Sequence, residues 1–205
     1  MAAQVPLRIG CVIMAAGNAR RYGKNKLAAE FQGKPLIQHT LEAVPQEAFS
    51  SITVVSQYPE ILALARSCQF HAVCNPHPDW GISHTIRLGL TPLLHCDGVL
   101  FQVSDQPLLQ KGSILKLVEC FAQHPEHIAA LAHNGVHGNP CLFPARFFPE
   151  LLQLQEDHGG NQIIRRHPDA LVLCEAPPEE LTDVDTPEAL RKLQAQAEQD
   201  HHFLE

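Results

Sequence analysis

Ile9-Gly10-Cys11-Val12-Ile13 runs directly into Met14-Ala15-Ala16-Gly17-Asn18-Ala19-Arg20-Arg21-Tyr22-Gly23-Lys24-Asn25-Lys26-Leu27. A short apolar run followed by small residues and Gly17 predicts a buried strand ending in a tight turn. The turn carries Arg20, Arg21, Lys24 and Lys26 around Gly23, with no acidic residue among them. The chain has a formal net charge of -7 and only 15 Lys plus Arg, yet it gathers four of these cations here, which makes a local anion site. Polyphosphate suits such a turn, because backbone N–H groups and fixed cations reinforce one another. Two familiar phosphate patterns fail. The Walker pattern needs four residues between its glycines and Lys followed by Ser or Thr, whereas five residues separate Gly17 from Gly23 and Asn25 follows Lys24. The dinucleotide fingerprint needs a glycine where Ala19 stands.

Working outward, helix-like and strand-like segments alternate. Strands are expected at 7–14, 51–56, 70–74, 98–103, 128–132, 141–143 and 171–174. Helices are expected at 36–44, 60–66, 83–94, 112–123, 147–154, 160–166 and 187–199. Strands separated by helices of this length imply β-α-β units, a mostly parallel sheet and an α/β class. With 205 residues, 45% of them hydrophobic, the chain can bury one substantial core, and a single domain over 1–205 (core about 7–200) is expected. Charged residues make up 18%, without the basic excess of a nucleic-acid binder. The seven cysteines are scattered without a C-x-x-C pair and read as small core residues in a reducing cytosol. No leader and no apolar run of membrane-spanning length is seen, so no membrane partner and a cytoplasmic location are expected.

Polar clusters follow several of these strands, where ligands of open α/β sheets gather. Phe101-Gln102-Val103-Ser104-Asp105-Gln106-Pro107 ends a strand in an aspartate, and Pro107 stops further pairing. Leu181-Thr182-Asp183-Val184-Asp185-Thr186-Pro187-Glu188 places Asp183 and Asp185 on one face of an extended stretch, with Thr186-Pro187 opening a helix. Asn75 to Leu90 carries Gly81, Ser83 and Thr85 ahead of an amphipathic run, and Ser83 reads equally as a helix N-cap. Trp80, the only tryptophan, reads either as a cover for a ring or as a core wedge. His133, His137 and His158 lack the regular spacing of a transition-metal site.

The segment 15–26 resembles the A-A-G-x-[SG]-x-R-[MF]-G-x-x-K pattern of Rossmann-like nucleotidyltransferases, the MobA-like family. Gly17, Arg21, Gly23 and Lys26 fall on its fixed positions, while Ala19 and Tyr22 depart from it. Ser104-Asp105-Gln106-Pro107 resembles the family's G/S-D-Q-P motif, and Asp183 to Glu188 its D-[IV]-D-T-P-E segment. The resemblance implies a three-layer Rossmann-like fold with a mostly parallel twisted sheet. It also implies that Ala15, Ala16, Gly17, Asn18, Arg21, Lys26, Asn75, Gly81, Ser83 and Thr85 contact the nucleotide. Arg21, Lys26 and Asp105 are the expected catalytic residues, and Asp105 with Asp185 the expected Mg2+ ligands, Asp183 lying behind them. His137-Gly138-Asn139-Pro140 resembles the acceptor-facing strand, so Gly138, Asn139, Pro140 and Asp157 are expected to meet the acceptor. The segment around Asp157 departs from the family's G-D-x-G-x-[RK], with Glu156 in place of glycine and Asn161-Gln162 at a usually cationic position.

Within this family Ala15-Ala16-Gly17 resembles the cytidylyl rather than the guanylyl enzymes of the molybdenum cofactor group. The implied reaction is Mg2+-dependent transfer of CMP from CTP to a phosphorylated acceptor such as molybdopterin, releasing pyrophosphate, with a molybdenum hydroxylase as eventual recipient. Two other readings stay open: a transferase directed to GTP or to a sugar phosphate, and a non-catalytic accessory protein that binds molybdenum cofactor.

Overall fold

A computed structural model describes residues 6–17 and 25–202, with side chains placed up to residue 197. Its centre is β1 (Ile9–Ala15), buried on both faces. Parallel partners flank it, β4 (Ser51–Ser56) on one side and β6 (Gly98–Val103) on the other, after a small hairpin of β2 (Glu30–Phe31) and β3 (Lys34–Pro35). The main sheet adds β5 (His71–Cys74), β7 (Ile128–His133), β8 (Val136–Pro144) and β9 (Leu171–Glu175), in the order β5-β4-β1-β6-β8-β7-β9. Every neighbouring pair is parallel except those made by β8, which runs antiparallel to both β6 and β7. The sheet is therefore mostly parallel, as the alternation predicts.

Helices cover both faces, so a continuous apolar strand finds partners above and below. Cys11, Ile13 and Ala15 join one cluster beneath α1 (Leu36–Ala43), α2 (Pro59–Ser67) and α4 (Lys111–Gln123). Val12 points the other way into a second cluster with α3 (Ile82–Leu90), α5 (Phe148–Gln153) and α6 (Gly160–Arg166). Alternate residues of one strand thus nucleate two cores, giving three layers. α3 lies so close to β1 that a Cβ on Gly89 would sit 2.4 Å from Val12 Cγ1, so only glycine fits there. A third, smaller cluster of Phe31, Leu36, Val184, Leu190 and Leu193 ties the β2–β3 hairpin to the last helix, α7 (Pro187–His202).

The structure corrects three expectations. The strand expected at 141–143 extends over Val136–Pro144, because Asn134 (φ 50°) and Gly135 (φ 77°) form a tight hairpin turn that pairs His133 with Val136. The β2–β3 hairpin, turned through Gln32 and Gly33, was not expected. Cys74 is exposed rather than a core residue, whereas Cys11, Cys96 and Cys141 are buried. Among the described residues, no helix is long and apolar enough to cross a membrane.

The order of the sheet decides where a ligand can enter. The chain builds outward from β1 through β4 to β5, then returns across β1 to lay down β6. At such a reversal the loops after adjacent strands diverge and leave a crevice at the carboxyl ends, here after β1 and β6.

Candidate active site

That crevice is a cavity of about 440 Å3, reached by Ala16 and Gly17 after β1 and by Ser104 and Asp105 after β6. The end of β1 is pinned from both sides. Ser104 Oγ donates to the Met14 carbonyl at 3.0 Å and Ser56 Oγ to the Ala15 carbonyl at 2.8 Å. Gln57 Nε2 donates to the Ala16 carbonyl at 3.0 Å, and the Tyr58 hydroxyl to that of Gly17 at 3.2 Å. Four side chains thus hold the backbone at the end of β1, where the segment expected to bind the triphosphate begins. The expected contacts Asn18 and Arg21, with Arg20, Gly23 and Lys24, lie outside the described residues.

The described chain resumes at Asn25, whose Oδ1 accepts from Leu27 N–H at 3.1 Å while its Nδ2 donates to Glu60 Oε1 at 3.0 Å. This capping opens a single 3-10 turn, Lys26–Ala28, anchored by buried Leu27. Lys26 projects into the cavity, and its Nζ donates to Asp105 Oδ2 at 2.7 Å and to Asp185 Oδ1 at 3.1 Å. Partial burial pulls the Lys26 pKa down, but the charge of Asp105 and hydrogen bonds to both carboxylates outweigh it, so the ammonium titrates above its ordinary value.

Asp105 and the 183–185 segment are also joined through the main chain, since Val184 N–H donates to the Asp105 carbonyl at 2.8 Å. Gln106 extends the tie. Its Nε2 donates to Asp183 Oδ1 at 2.9 Å and to the Leu181 carbonyl at 3.3 Å. Desolvation first, and then the charges of Asp105 and Asp185, push the Asp183 carboxyl up to about 6, although the residue as a whole stays exposed. Asp105 Oδ1, by contrast, is buried with no hydrogen-bond partner. A buried carboxylate oxygen without a donor calls for a cation. Two carboxylates with room for phosphate and water are what Mg2+ takes from a protein, so Asp105 and Asp185 fit a hard divalent ion. Among the described residues, no group of three or more His, Cys, Asp or Glu that could hold a metal occurs, at His133, His137, His158 or elsewhere.

Of the other expected nucleotide contacts, Gly81 and Thr85 line the cavity, whereas Asn75 and Ser83 are buried behind it. Asn75 acts as a clamp: its Nδ2 donates to Thr85 Oγ1 at 3.2 Å and its Oδ1 accepts from His77 N–H at 2.9 Å. Ser83 does not cap α3. The cap is Gly81 (φ 85°), and Ser83 N–H donates instead to the Glu156 carbonyl at 3.1 Å. Trp80 is 53% exposed, so it is not a core wedge, and it stacks on His77 with ring centroids 4.1 Å apart. Asp79 and Ile82 line the cavity without having been expected there, though both lie inside the segment that drew attention. Gln106 was overlooked as a site-forming side chain; its place beside Asp105 was the available signal.

On the acceptor side, Asp157 lines both this cavity and a neighbouring one of about 240 Å3, where it meets Asn139. Gly138 faces Leu181, and Pro140 is buried in β8, so neither lines either of these two cavities. The loop before α6 presses on the start of α3: a Cβ on Gly81 would lie 2.3 Å from the Glu156 carbonyl. Glu156 itself has φ 53°, a left-handed conformation natural to the glycine it replaces.

Comparisons with known proteins bear on the fold and the family. Residues 11–171 match the MobA-like NTP transferase domain. The purine catabolism protein PucB of Bacillus subtilis is 28% identical over 197 residues, covering 89% of this chain and 94% of that protein. A 2-C-methyl-D-erythritol 4-phosphate cytidylyltransferase of Dehalococcoides mccartyi is 32% identical over 115 residues, covering 52% of this chain and 50% of its own. Among solved structures, Rv0371c of Mycobacterium tuberculosis, crystallised in complex with manganese, superposes with a TM-score of 0.70 at 20% identity over 92% of this chain and 98% of that one. With most of its length matched, the chain belongs to the MobA-like nucleotidyltransferase family, which has cytidylyltransferases among its homologues.

Proposed function

We propose that the protein transfers CMP from CTP to the terminal phosphate of molybdopterin, releasing pyrophosphate, with Mg2+ as the divalent ion. The observation that carries this reading is the ammonium of Lys26 bridging Asp105 and Asp185 beside the unpartnered Asp105 Oδ1. One ammonium and two carboxylates converge where strand ends open, which is the equipment phosphoryl-type transfer requires.

In this reading Ala15, Ala16, Gly17 and Asn18 offer backbone to the triphosphate, and Arg21 and Lys26 hold its β,γ-phosphates. Gly81 and Thr85 line the nucleoside, with Asn75 and Ser83 fixing them from behind. Asp105 and Asp185 hold the divalent ion, which when bound neutralises phosphate charge and orients the α-phosphate. Asp157 and Asn139 position the acceptor, with Gly138 and Pro140 serving only as the strand that carries Asn139. An acceptor phosphate oxygen attacks the α-phosphorus in line, the α–β bridging bond breaks, and pyrophosphate leaves with its charge met by Lys26 and Arg21. No covalent enzyme intermediate is needed.

Cytosine is favoured by the Ala15-Ala16-Gly17 start and by the named activity of the cytidylyltransferase relative. Another relative, similar over nearly the whole chain, is named a purine catabolism protein. A panel of the four ribonucleoside triphosphates with Mg2+ and molybdopterin, read as pyrophosphate, tests the assignment. CTP alone should give rapid release; equal release from all four, or release from GTP only, contradicts it.

A further inference from the structure

The 155–158 loop carries Asp157 to the boundary of the two cavities, and its backbone is left-handed at Glu156. A loop that has to present one side chain at a fixed place needs ties to something rigid. α3 is the rigid element beside it. Ile86 and Leu90 are buried, and Gly89 packs against Val12 in β1, at the centre of the sheet. Two main-chain contacts join the loop to the start of this helix: the Ser83 N–H on the Glu156 carbonyl, and the close approach of Gly81 to the same carbonyl.

A side chain adds a third tie. Arg87 is half-buried and lies one turn beyond Ser83 on α3. Its Nη2 donates to the Leu154 carbonyl at 3.0 Å and its Nε to the Leu152 carbonyl at 3.4 Å. Both carbonyls stand where α5 ends at Gln153, and the last C=O groups of a helix lack partners within it. A cation is favoured at that end of a helix, and the planar fork of a guanidinium reaches two acceptors with one fixed geometry. The loop begins at the residue after Leu154. The guanidinium therefore holds the point from which the loop springs, while Ser83 holds its middle.

We propose that Arg87 is a positioning residue for the transfer: from α3 it ties down the end of α5 and so sets where Asp157 stands beside the nucleotide cavity. Arg87 lines neither cavity, so it acts through the loop and not on a substrate. Its effect on turnover rests on the transferase reading, whereas the tie itself does not. α3 stays seated on the sheet without the guanidinium, which leaves Gly81 and Thr85 in place. Loss of Arg87 therefore falls on the acceptor side.

The test compares the full-length wild type with Arg87→Met, which keeps an apolar stem, and Arg87→Lys, which keeps the charge without the fork. Hydrogen exchange is followed without substrates at the amides of Ser83 and His158, which donate to the Glu156 and Gln155 carbonyls. Exchange at both should quicken about tenfold in Arg87→Met and less in Arg87→Lys, with the amides of β1 unchanged. In the transfer assay, KM for molybdopterin should rise about tenfold in Arg87→Met while KM for CTP holds, and Arg87→Lys should recover part of the loss. Unchanged exchange at Ser83 and His158 overturns the tie. Faster exchange with equal rises in both KM values, or with a fall in kcat alone, makes the arginine structural and overturns the positioning role. Absence of transfer by the wild type overturns the reaction instead, and the exchange rates then decide the tie by themselves.

Discussion

Lys26 Nζ lies 2.7 Å from Asp105 Oδ2, with Asp185 Oδ1 accepting a second hydrogen bond at 3.1 Å. The lysine thus stands in for a cation between the two carboxylates proposed to hold the metal. Loading a divalent ion requires the ammonium to leave, and the phosphates of an incoming triphosphate offer it a destination. Metal and nucleotide should therefore bind together. Lys26→Ala is expected to bind Mn2+ more tightly than the wild type when no nucleotide is present, as read by electron paramagnetic resonance. The same variant should lose about 10²–10³-fold in turnover, the usual scale for removing one fixed donor from a developing charge. Weaker Mn2+ binding by Lys26→Ala would show that the ammonium does not compete with the metal.

Gly81 connects the two halves of the site through a close approach. Gly81→Ala would place its Cβ 2.3 Å from the Glu156 carbonyl, on a residue already at φ 85°. The 155–158 loop has to move, taking Asp157 with it. A loss of about 1–3 kcal/mol is expected from the forced displacement, seen as a lower denaturant midpoint. Nucleotide affinity should fall as well, because Thr85 and Asp157 line the same cavity.

Glu156 gives the converse case. Its left-handed backbone at φ 53° costs a side chain about 1–2 kcal/mol, which glycine avoids at the expense of a more disordered unfolded chain. Glu156→Gly is expected to raise stability by up to about 1 kcal/mol. A thermal melt reads this as a rise of a few degrees for a chain of this size. A fall in melting temperature would mean that the Glu156 side chain contributes a contact larger than the strain.

His84 should make stability depend on pH. Both ring nitrogens are buried without partners, and desolvation, followed by the charges of Arg87 and His77, lowers its pKa below the usual 6.5. The unfolded chain therefore takes up the proton first as pH falls. The contribution of neutral His84 is present above pH 6.5 and is lost as pH drops from there through the folded value. Melting temperatures from pH 8 to 5 should fall more steeply for the wild type than for His84→Phe, which keeps the edge contact with Trp80 (centroids 4.9 Å apart). Parallel curves would remove His84 as the cause.

The sequence was most legible where a single physical rule dominates. β4, β6 and α6 lie where their apolar periodicities place them, and the crevice follows from strand order. The hairpin at Asn134-Gly135 also carries a strong local signal, since both residues accept positive φ, yet the polar stretch before Pro140 hid the strand that follows. Side-chain roles were less legible. Asn75 and Ser83 do not line the cavity: Asn75 is buried behind Thr85, donating to its hydroxyl, and Ser83 is buried where its backbone N–H meets the Glu156 carbonyl. Glu156 looks like a departure from the family pattern in the sequence, but the backbone keeps the glycine-like conformation.

The central claim is most directly tested by following CTP labelled at its α-phosphorus, with Mg2+ and molybdopterin, in the wild type and in Asp105→Ala. The account predicts that label passes into a cytosine dinucleotide with one pyrophosphate released per transfer, and that Asp105→Ala slows this by about 10³-fold while melting as a folded protein. Label remaining in CTP with the wild type, or transfer undiminished in Asp105→Ala, would contradict it.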